Sequence, residues 1–562
     1  MTSSTSLKTT KITRGHPLKE VKLNKLYPKL SFLIIDDFEN FRSSLRLMLS
    51  SFGANKVEMS STAEDAISKC TYDSYDVILC DFNLGQGKNG QQILEELRIK
   101  KRLKHIHSFI MITAETAKDV VLGTREYQPD GYIAKPITRT VLEQRLGHIL
   151  AQQKILKPIN REIDLENYTK AITLCHQELE NNTKYKSWCY QTLAKLYSLL
   201  GDTSNATKIY RDVLSSREIP WARLGMGQVL NQEQQYDEAK DCFIKVIKNN
   251  PNMVEAYDNL SQSYLKLGQK TDAQNALQEA ADLSPRIIPR QEKLGSICLN
   301  NQDIEAASNA YRHAVQYAEN SVHEKAEHYL DLGRCLYDLS EGDTSENGKN
   351  KASEAVKILA LAGDKFSNNE DASLNATLIA ARVLSGQGNQ QAADEKLHQA
   401  ECMIEEESLS PLVGLELAKT LYSMKQPERS EKLLISLSKR FADNPEIIAK
   451  IESLLDEPEG FKARKQAKEL NKSGISLFEQ GELSKSIESF HAARSLTPKH
   501  AALNLNIVQV IIKQYKKTPE KQLLIEAQES LERIKHIPEQ HNQFKRLNHL
   551  QDVINKLVKK QR

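Results

Sequence analysis

Apolar residues follow two different rhythms along this chain, and the change from one to the other falls near residue 160. Up to that point, short apolar runs of strand length alternate with stretches in which apolar positions recur every three or four residues. Ser31-Phe32-Leu33-Ile34-Ile35 is a first strand ending in Asp36-Asp37, and Phe41, Leu45 and Leu49 mark a helix that stops near Gly53. Val57 lies on a short second strand, and Ala63 to Cys70 is helical. The third strand, Val77-Ile78-Leu79-Cys80, runs into Asp81, and Gln91 to Lys100 is helical. Phe109 to Ile112 is a fourth strand ending in Thr113. After another helical segment, Gly131-Tyr132-Ile133-Ala134 is a short fifth strand ending in Lys135-Pro136, and a last helix runs from Thr138 to about Leu150. Regular alternation of this kind implies a parallel sheet covered on both faces.

Beyond a short linker the pattern is helical throughout, and it repeats. Gly201, Gln234, Gly268 and Gln302 occupy equivalent turns, at spacings of 33, 34 and 34 residues. Leu193, Met226, Leu260 and Leu294 lie eight residues before the turn, and Ala206, Ala239, Ala273 and Ala307 five after it. Tyr210, Phe243, Leu277 and Tyr311 come four later again. Small residues where two helices cross, with a large residue wedged between them, resemble the tetratricopeptide repeat, and such short pairs bury their apolar faces only by stacking on neighbours. Less regular units flank these: a partial one before them at Ile163 to Asn181, and after them one from Leu332 to Phe366 and candidates at Ala380 to Ala400, Leu417 to Leu437 and Gly474 to Pro498. The expected division is a disordered tail over 1–28, the α/β domain over 29–152, a linker over 153–162 and about eight or nine helix pairs over 163–519. An insertion is expected near 340–350, a break near 458–469, and a basic C-terminal capping region over 520–562.

The polar residues at the strand ends decide the chemistry. In a parallel sheet Asp36-Asp37, Asp81, Thr113 and Lys135 fall on one edge, although they are far apart in the chain. Clustered carboxylates suit Mg²⁺, which takes oxygen ligands. A metal and a lysine offset charge on phosphoryl oxygens, a hydroxyl can bond one of them, and an aspartate can itself be the nucleophile. Singly these features are ordinary, since an acidic pair after a strand often caps a helix and Lys-Pro often marks a turn.

Together, Asp36-Asp37, Asp81-Phe82-Asn83, Thr113-Ala114-Glu115 and Tyr132-Ile133-Ala134-Lys135-Pro136 resemble a response-regulator receiver domain of the single-domain chemotaxis type. The resemblance implies a five-stranded doubly wound sheet in the order 2-1-3-4-5, with Asp81 as the phosphoacceptor. It implies Mg²⁺ held directly by Asp37, Asp81 and the backbone carbonyl of Asn83, with Asp36 acting through water. Thr113 and Lys135 would bind phosphoryl oxygens, Tyr132 would turn inward on activation, and Asn83 and Glu115 would tune the acyl phosphate towards a short lifetime. A haloacid-dehalogenase-type hydrolase also uses an aspartyl phosphate, but Asp81-Phe82-Asn83 lacks its second aspartate. Gly85-Gln86-Gly87-Lys88-Asn89-Gly90 fits G-x-G-x-x-G, yet it follows the third strand rather than the first, so it reads as a loop beside the site. It departs from the usual receiver pattern, with Gly85 where proline is common and one extra residue before Gly90.

Charge and composition then narrow the function. With Lys+Arg 77 against Asp+Glu 74 the chain is near balance, and no nucleic-acid footprint is expected. The eight cysteines form no C-x-x-C pair and read as reduced core thiols. The Ser/Thr/Lys-rich start carries no apolar run, so a cytoplasmic protein without membrane insertion is expected. No Walker loop, G-x-S-x-G, H-E-x-x-H or Cys/His cluster follows the sheet domain, so the output is expected to be protein binding rather than enzymatic catalysis. The leading reading is a response regulator, phosphorylated by a sensor histidine kinase or phosphotransfer protein, that controls binding of an unidentified protein in the repeat groove. Two alternatives stand beside it: a receiver that competes for phosphoryl groups while the repeats tether it, and a constitutive scaffold with an unused receiver.

Overall fold

A computed structural model describes residues 26–114, 126–181, 184–404, 409–456, 461–535, 537 and 543–561. The five apolar runs form one parallel sheet, β1 (Ser31–Ile35), β2 (Lys56–Ser60), β3 (Val77–Asp81), β4 (Ser108–Thr113) and β5 (Gly131–Ala134), in the order β2-β1-β3-β4-β5. Side chains alternate between faces along each strand. Leu33, Ile35, Ile78, Cys80, Phe109 and Met111 pack with Ala66 of α2 (Ala63–Tyr72) and Ile93 and Leu97 of α3 (Gly90–Ile99). Phe32, Ile34, Val77, Leu79, Ile110 and Ile112 form the other layer, with Leu45 and Leu49 of α1 (Glu39–Ser51) and Leu142 and Leu146 of α4 (Arg139–Asp164). Register aligns the strand ends: Ile35 pairs with Cys80, Asp81 with Ile112 and Thr113 with Ala134.

The expected tail ends early, because Tyr27 is buried and its ring stacks on Phe32, 6.1 Å between centroids. Residues 1–25 lie outside the described set. The larger difference concerns the linker expected over 153–162. Those residues continue α4, whose Leu142, Leu146 and Leu150 pack on the sheet while Leu156 and Ile159 pack on α5 (Tyr168–Glu180) and α6 (Lys186–Leu199). Pro158 stands inside this helix. Lys154, Lys157, Pro158 and Asn160 suggested a break, but the apolar spacing through Leu156, Ile159 and Ile163 stays helical. Asn160 also donates to the His105 carbonyl at 3.1 Å, and Asp164 Oδ1 accepts from the His105 backbone N–H at 2.8 Å.

The chain accordingly divides elsewhere, into one compact unit of residues 1–290 with 317–324 and a second of 291–316 with 325–562. The sheet and the first helix pairs share the first unit. In both units the predicted repeat positions behave alike. Gly201, Gln234, Gly268 and Gln302 all have positive φ, at 74°, 63°, 76° and 63°. Ala206, Ala239, Ala273 and Ala307 are fully buried. The wedge residue meets a glycine: a Cβ on Gly227 would lie 2.6 Å from the Phe243 ring, and one on Gly295 2.6 Å from Tyr311. Helices cross closely enough for Ser261 Oγ to donate to the Ala273 carbonyl at 2.8 Å and Ser486 Oγ to that of Gly474 at 2.7 Å.

Within the second unit three expectations change. The insertion expected near 340–350 is a short connection over 341–345 followed by helix, since Ser345 caps α15 (Glu346–Lys365) by accepting from the Gly348 N–H. The break expected near 458–469 falls partly outside the described residues and partly on a helix, Phe461–Glu479. The region from 520 opens with Lys521–Arg533, which pairs with Ala501–Lys517 as another repeat-like couple through Leu524, Leu531, Leu505 and Ile512. Only Phe544–Gln561 follows as a terminal helix among the described residues, burying Leu547, Leu550 and Ile554. No described helix is long and apolar enough to cross a membrane.

Candidate functional site

Parallel strands deliver their C-terminal residues to one edge, and here that edge holds a cleft of about 160 Å³. It is lined by Asp37, Phe38, Asp81, Phe82, Asn83, Thr113, Ala114 and Lys135. The carboxylate oxygens of Asp36, Asp37 and Asp81 lie within 4.8 Å of one another. Lys135 Nζ reaches two of them, at 2.9 Å from Asp81 Oδ2 and 3.0 Å from Asp36 Oδ2. Asp36 and Asp81 are buried, so this lysine is their shared counter-charge.

Each side chain is held from behind. Asp36 Oδ1 accepts from the Phe38 N–H at 2.9 Å, and the Asp36 carbonyl accepts from Arg42 Nη1 at 2.5 Å. Asp81 Oδ1 accepts from the Phe82 N–H at 3.0 Å. Lys135 lies 4.4 Å from the ring centroid of Phe41, a cation–π contact that fixes the ammonium above the acids. Burial pushes the Asp81 carboxyl above its ordinary range, Lys135 opposes that shift, and the charge of Asp36 adds to it. Burial works against the Lys135 ammonium, but its bonds to Asp81 and Asp36 outweigh that and hold it above its ordinary value.

The glycine-rich loop closes one side. Asn83 Oδ1 accepts from the Gly85 N–H at 3.1 Å, and the Gly90 N–H donates to the Phe82 carbonyl at 2.8 Å. Asn89 caps α3 with a reciprocal bond to Gln92, which anchors the far end of the loop. A Cβ on Gly90 would lie 2.2 Å from the Asp81 carbonyl oxygen, so this position has room only for hydrogen. Gly90→Ala is therefore expected to displace the end of β3. It should lower local stability by about 1–3 kcal/mol, read as faster hydrogen exchange of the β3 and β4 amides.

The structure brings together Asp36, Asp37, Asp81, Asn83, Thr113 and Lys135. Tyr132 does not line the cleft; it is half-buried on β5 and packs on the Leu33–Phe109 layer. Glu115 lies outside the described residues. Phe38, Phe41, Arg42 and Gly90 support the site without a signal in the sequence pattern. Phe41 looked like an ordinary apolar position of α1, and Gly90 like one glycine among several.

The donor set suits Mg²⁺, being three clustered carboxylates and carbonyl oxygens without sulfur or imidazole. Residues 32–147 match the response regulator receiver domain, and residues 189–219, 222–253, 254–287 and 291–321 match the tetratricopeptide repeat. The chain is 29% identical over 130 residues to the chemotaxis protein CheY-3 of Vibrio cholerae serotype O1, covering 23% of this chain and 96% of that protein. It is 28% identical over 120 residues to the chemotaxis protein CheY of Pseudomonas aeruginosa, covering 21% of this chain and 95% of that protein. Among solved structures, the C-terminal part of a TPR repeat-containing protein from Cytophaga hutchinsonii is similar over 48% of this chain and 98% of that one, with 14% identity and a TM-score of 0.34.

Proposed function

Because this chain joins a response regulator receiver domain to tetratricopeptide repeats, we propose that it is a two-component response regulator whose phosphorylation at Asp81 changes what its repeats bind. The observation that carries the reading is the convergence of three carboxylates with Lys135, which bonds both Asp81 and Asp36. Asp37, Asp81 and the Asn83 carbonyl would hold Mg²⁺, with Asp36 acting through water. When bound, the metal supplies positive charge against the phosphoryl oxygens.

The residues of the chain carry the transfer. An Asp81 carboxylate oxygen attacks the phosphorus of a phosphohistidine on a sensor kinase or phosphotransfer protein. The new O–P bond forms as the P–N bond breaks, and its electron pair returns to the imidazole. Lys135 leaves Asp36 to offset charge on the transferred group, and the Thr113 hydroxyl donates to one of its oxygens. Thr113 drawn towards Asp81 makes room for Tyr132 to turn inward, which reshapes the surface around β5. Such a change needs only a two-state element biased by a few kcal/mol. The Asn83 side chain at the cleft and Glu115 favour a short-lived acyl phosphate, so decay in Mg²⁺ is expected in well under hours.

The reading is tested by affinity capture with wild type, Asp81→Ala and the beryllofluoride–Mg²⁺ form. The beryllofluoride form is expected to differ from the other two in its bound proteins. Identical profiles, with beryllofluoride shown to be bound, would overturn control of the repeats by the receiver.

A further inference from the structure

Glu95 on α3 is 2% exposed, and its partners come from far along the chain. Ser321 Oγ donates to Glu95 Oε2 at 3.3 Å, and His323 Nε2 lies 2.8 Å from Glu95 Oε1. The Tyr127 hydroxyl also bonds this carboxylate. Nearby, Gln92 Nε2 donates to the Glu319 carbonyl at 3.0 Å. The neighbouring Glu126 forms a two-pronged pair with Arg290, one bond being 3.1 Å from Nη1 to Oε1 and the other joining Nη2 to Oε2. All these residues belong to the first compact unit.

Arg290 is 4% exposed, yet it does not depend on the receiver for a counter-ion. Asp258 of a repeat helix, α10 (Val254–Lys266), accepts from its Nε at 2.8 Å and its Nη2 at 2.6 Å, and the Ser284 carbonyl accepts from Nη1 at 3.2 Å. Glu126 is thus a second carboxylate on an arginine that the repeats already neutralise. Withdrawing it leaves no buried unpaired charge on the repeat side, which distinguishes a docking contact from a core ion pair. The contact also sits in the right place. Glu126 and Tyr127 lie on the chain between Thr113 and Tyr132, the two residues proposed to move when Asp81 is modified.

We propose that the receiver face formed by Gln92, Glu95, Glu126 and Tyr127 docks on Arg290, Ser321 and His323 of the same chain, and that modification of Asp81 releases it. This inference rests on the phosphoacceptor reading and adds the surface through which the signal leaves the receiver. Coupling of this kind is reciprocal. If docking holds the unmodified receiver, undocking raises its affinity for a phosphoryl mimic by the same factor.

The full-length protein tests this by hydrogen exchange of residues 284–290 and 317–324, together with ¹⁹F NMR titration of beryllofluoride in Mg²⁺. In wild type, beryllofluoride is expected to accelerate exchange in both segments. Glu126→Gln removes one charge from the contact, and Ser321→Asp sets a carboxylate against Glu95. Each is expected to accelerate exchange in both segments without beryllofluoride and to tighten beryllofluoride binding about 5- to 10-fold. Unchanged exchange in both variants would overturn the docking surface. Faster exchange with unchanged beryllofluoride affinity would overturn its coupling to Asp81. Failure of beryllofluoride to bind wild type would strike the phosphoacceptor reading instead, and exchange in the two variants would still decide the surface by itself.

Discussion

Asp81→Ala is expected to abolish covalent phosphoryl incorporation from acetyl phosphate and Mg²⁺, with no phosphate adduct detectable by intact-protein mass spectrometry. Asp81 is the carboxylate that ends β3, faces the cleft and bonds Lys135. Asp36 and Asp37 stand close by but arrive from the end of β1, and Asp36 is engaged by Lys135 and the Phe38 amide. Of the three, Asp81 is the one that stands at the end of the central strand β3, beside the neighbouring strand end of Thr113. Lys135→Ala removes the counter-charge of Asp81. It should leave the adduct on Asp81 but slow its formation about 100- to 1,000-fold, the range seen when one group that stabilises developing charge is removed. Acyl phosphate persisting on Asp81→Ala would mean that another carboxylate is the acceptor. An unchanged rate in Lys135→Ala would mean that its bonds to Asp81 and Asp36 serve folding alone.

The second large effect lies far from that cleft. Glu416 of the helix Pro411–Ser423 is buried and meets two arginines. Its Oε1 lies 2.7 Å from Arg382 Nη2, and its Oε2 accepts from Arg334 Nε at 3.0 Å. Arg334 also pairs with Asp331 at 2.7 Å, and the Arg382 guanidinium lies 4.7 Å from the Tyr337 ring centroid. Removing one partner of a buried ion pair strands the other, so Glu416→Ala is expected to cost about 3–5 kcal/mol, read from the urea unfolding of the second unit. Arg334 keeps Asp331, whereas buried Arg382 loses its carboxylate, and most of the loss should come from Arg382. Burial alone would raise the Glu416 pKa, but Arg334, Arg382 and Lys419 outweigh it and hold the carboxyl far below its ordinary value. A pKa depressed in the folded state contributes stability above the unfolded value, near about 4.3 for Glu, and loses it as the pH falls towards the folded value. The gap between wild type and Glu416→Ala should therefore be widest near neutrality and narrow in acid. A gap independent of pH would show that Glu416 acts through packing rather than charge.

How much of this was legible beforehand follows from the range of each signal. Strand periodicity and the acid, hydroxyl and amine at the strand ends are local features, and a parallel sheet converts them into one site by topology alone. The repeat turns were equally readable, since a 34-residue spacing makes each position confirm the next. The length of α4 is hidden in the sequence because Lys157, Pro158 and Asn160 look like linker residues, whereas the burial of Leu156 and Ile159 decides the matter. Glu95 and Glu126 carried no warning, because acids on a helical stretch ordinarily face water. Arg290, 164 residues from Glu126, became its partner only through tertiary packing. The same holds for Arg334 and Glu416, 82 residues apart.

Helix α4 runs on through Pro158 and so joins the sheet to the first helix pair. At 1.5 Å per residue, its 26 residues span about 39 Å. A tilt of about 5° at the sheet end would carry the far end through roughly 3 Å. Pro158 is the position along α4 where a kink would absorb such a motion, and Leu156 lies before it. Changes too small to see at Lys135, a few residues before the helix begins, would then arrive amplified where Leu156 and Ile159 grip the repeats.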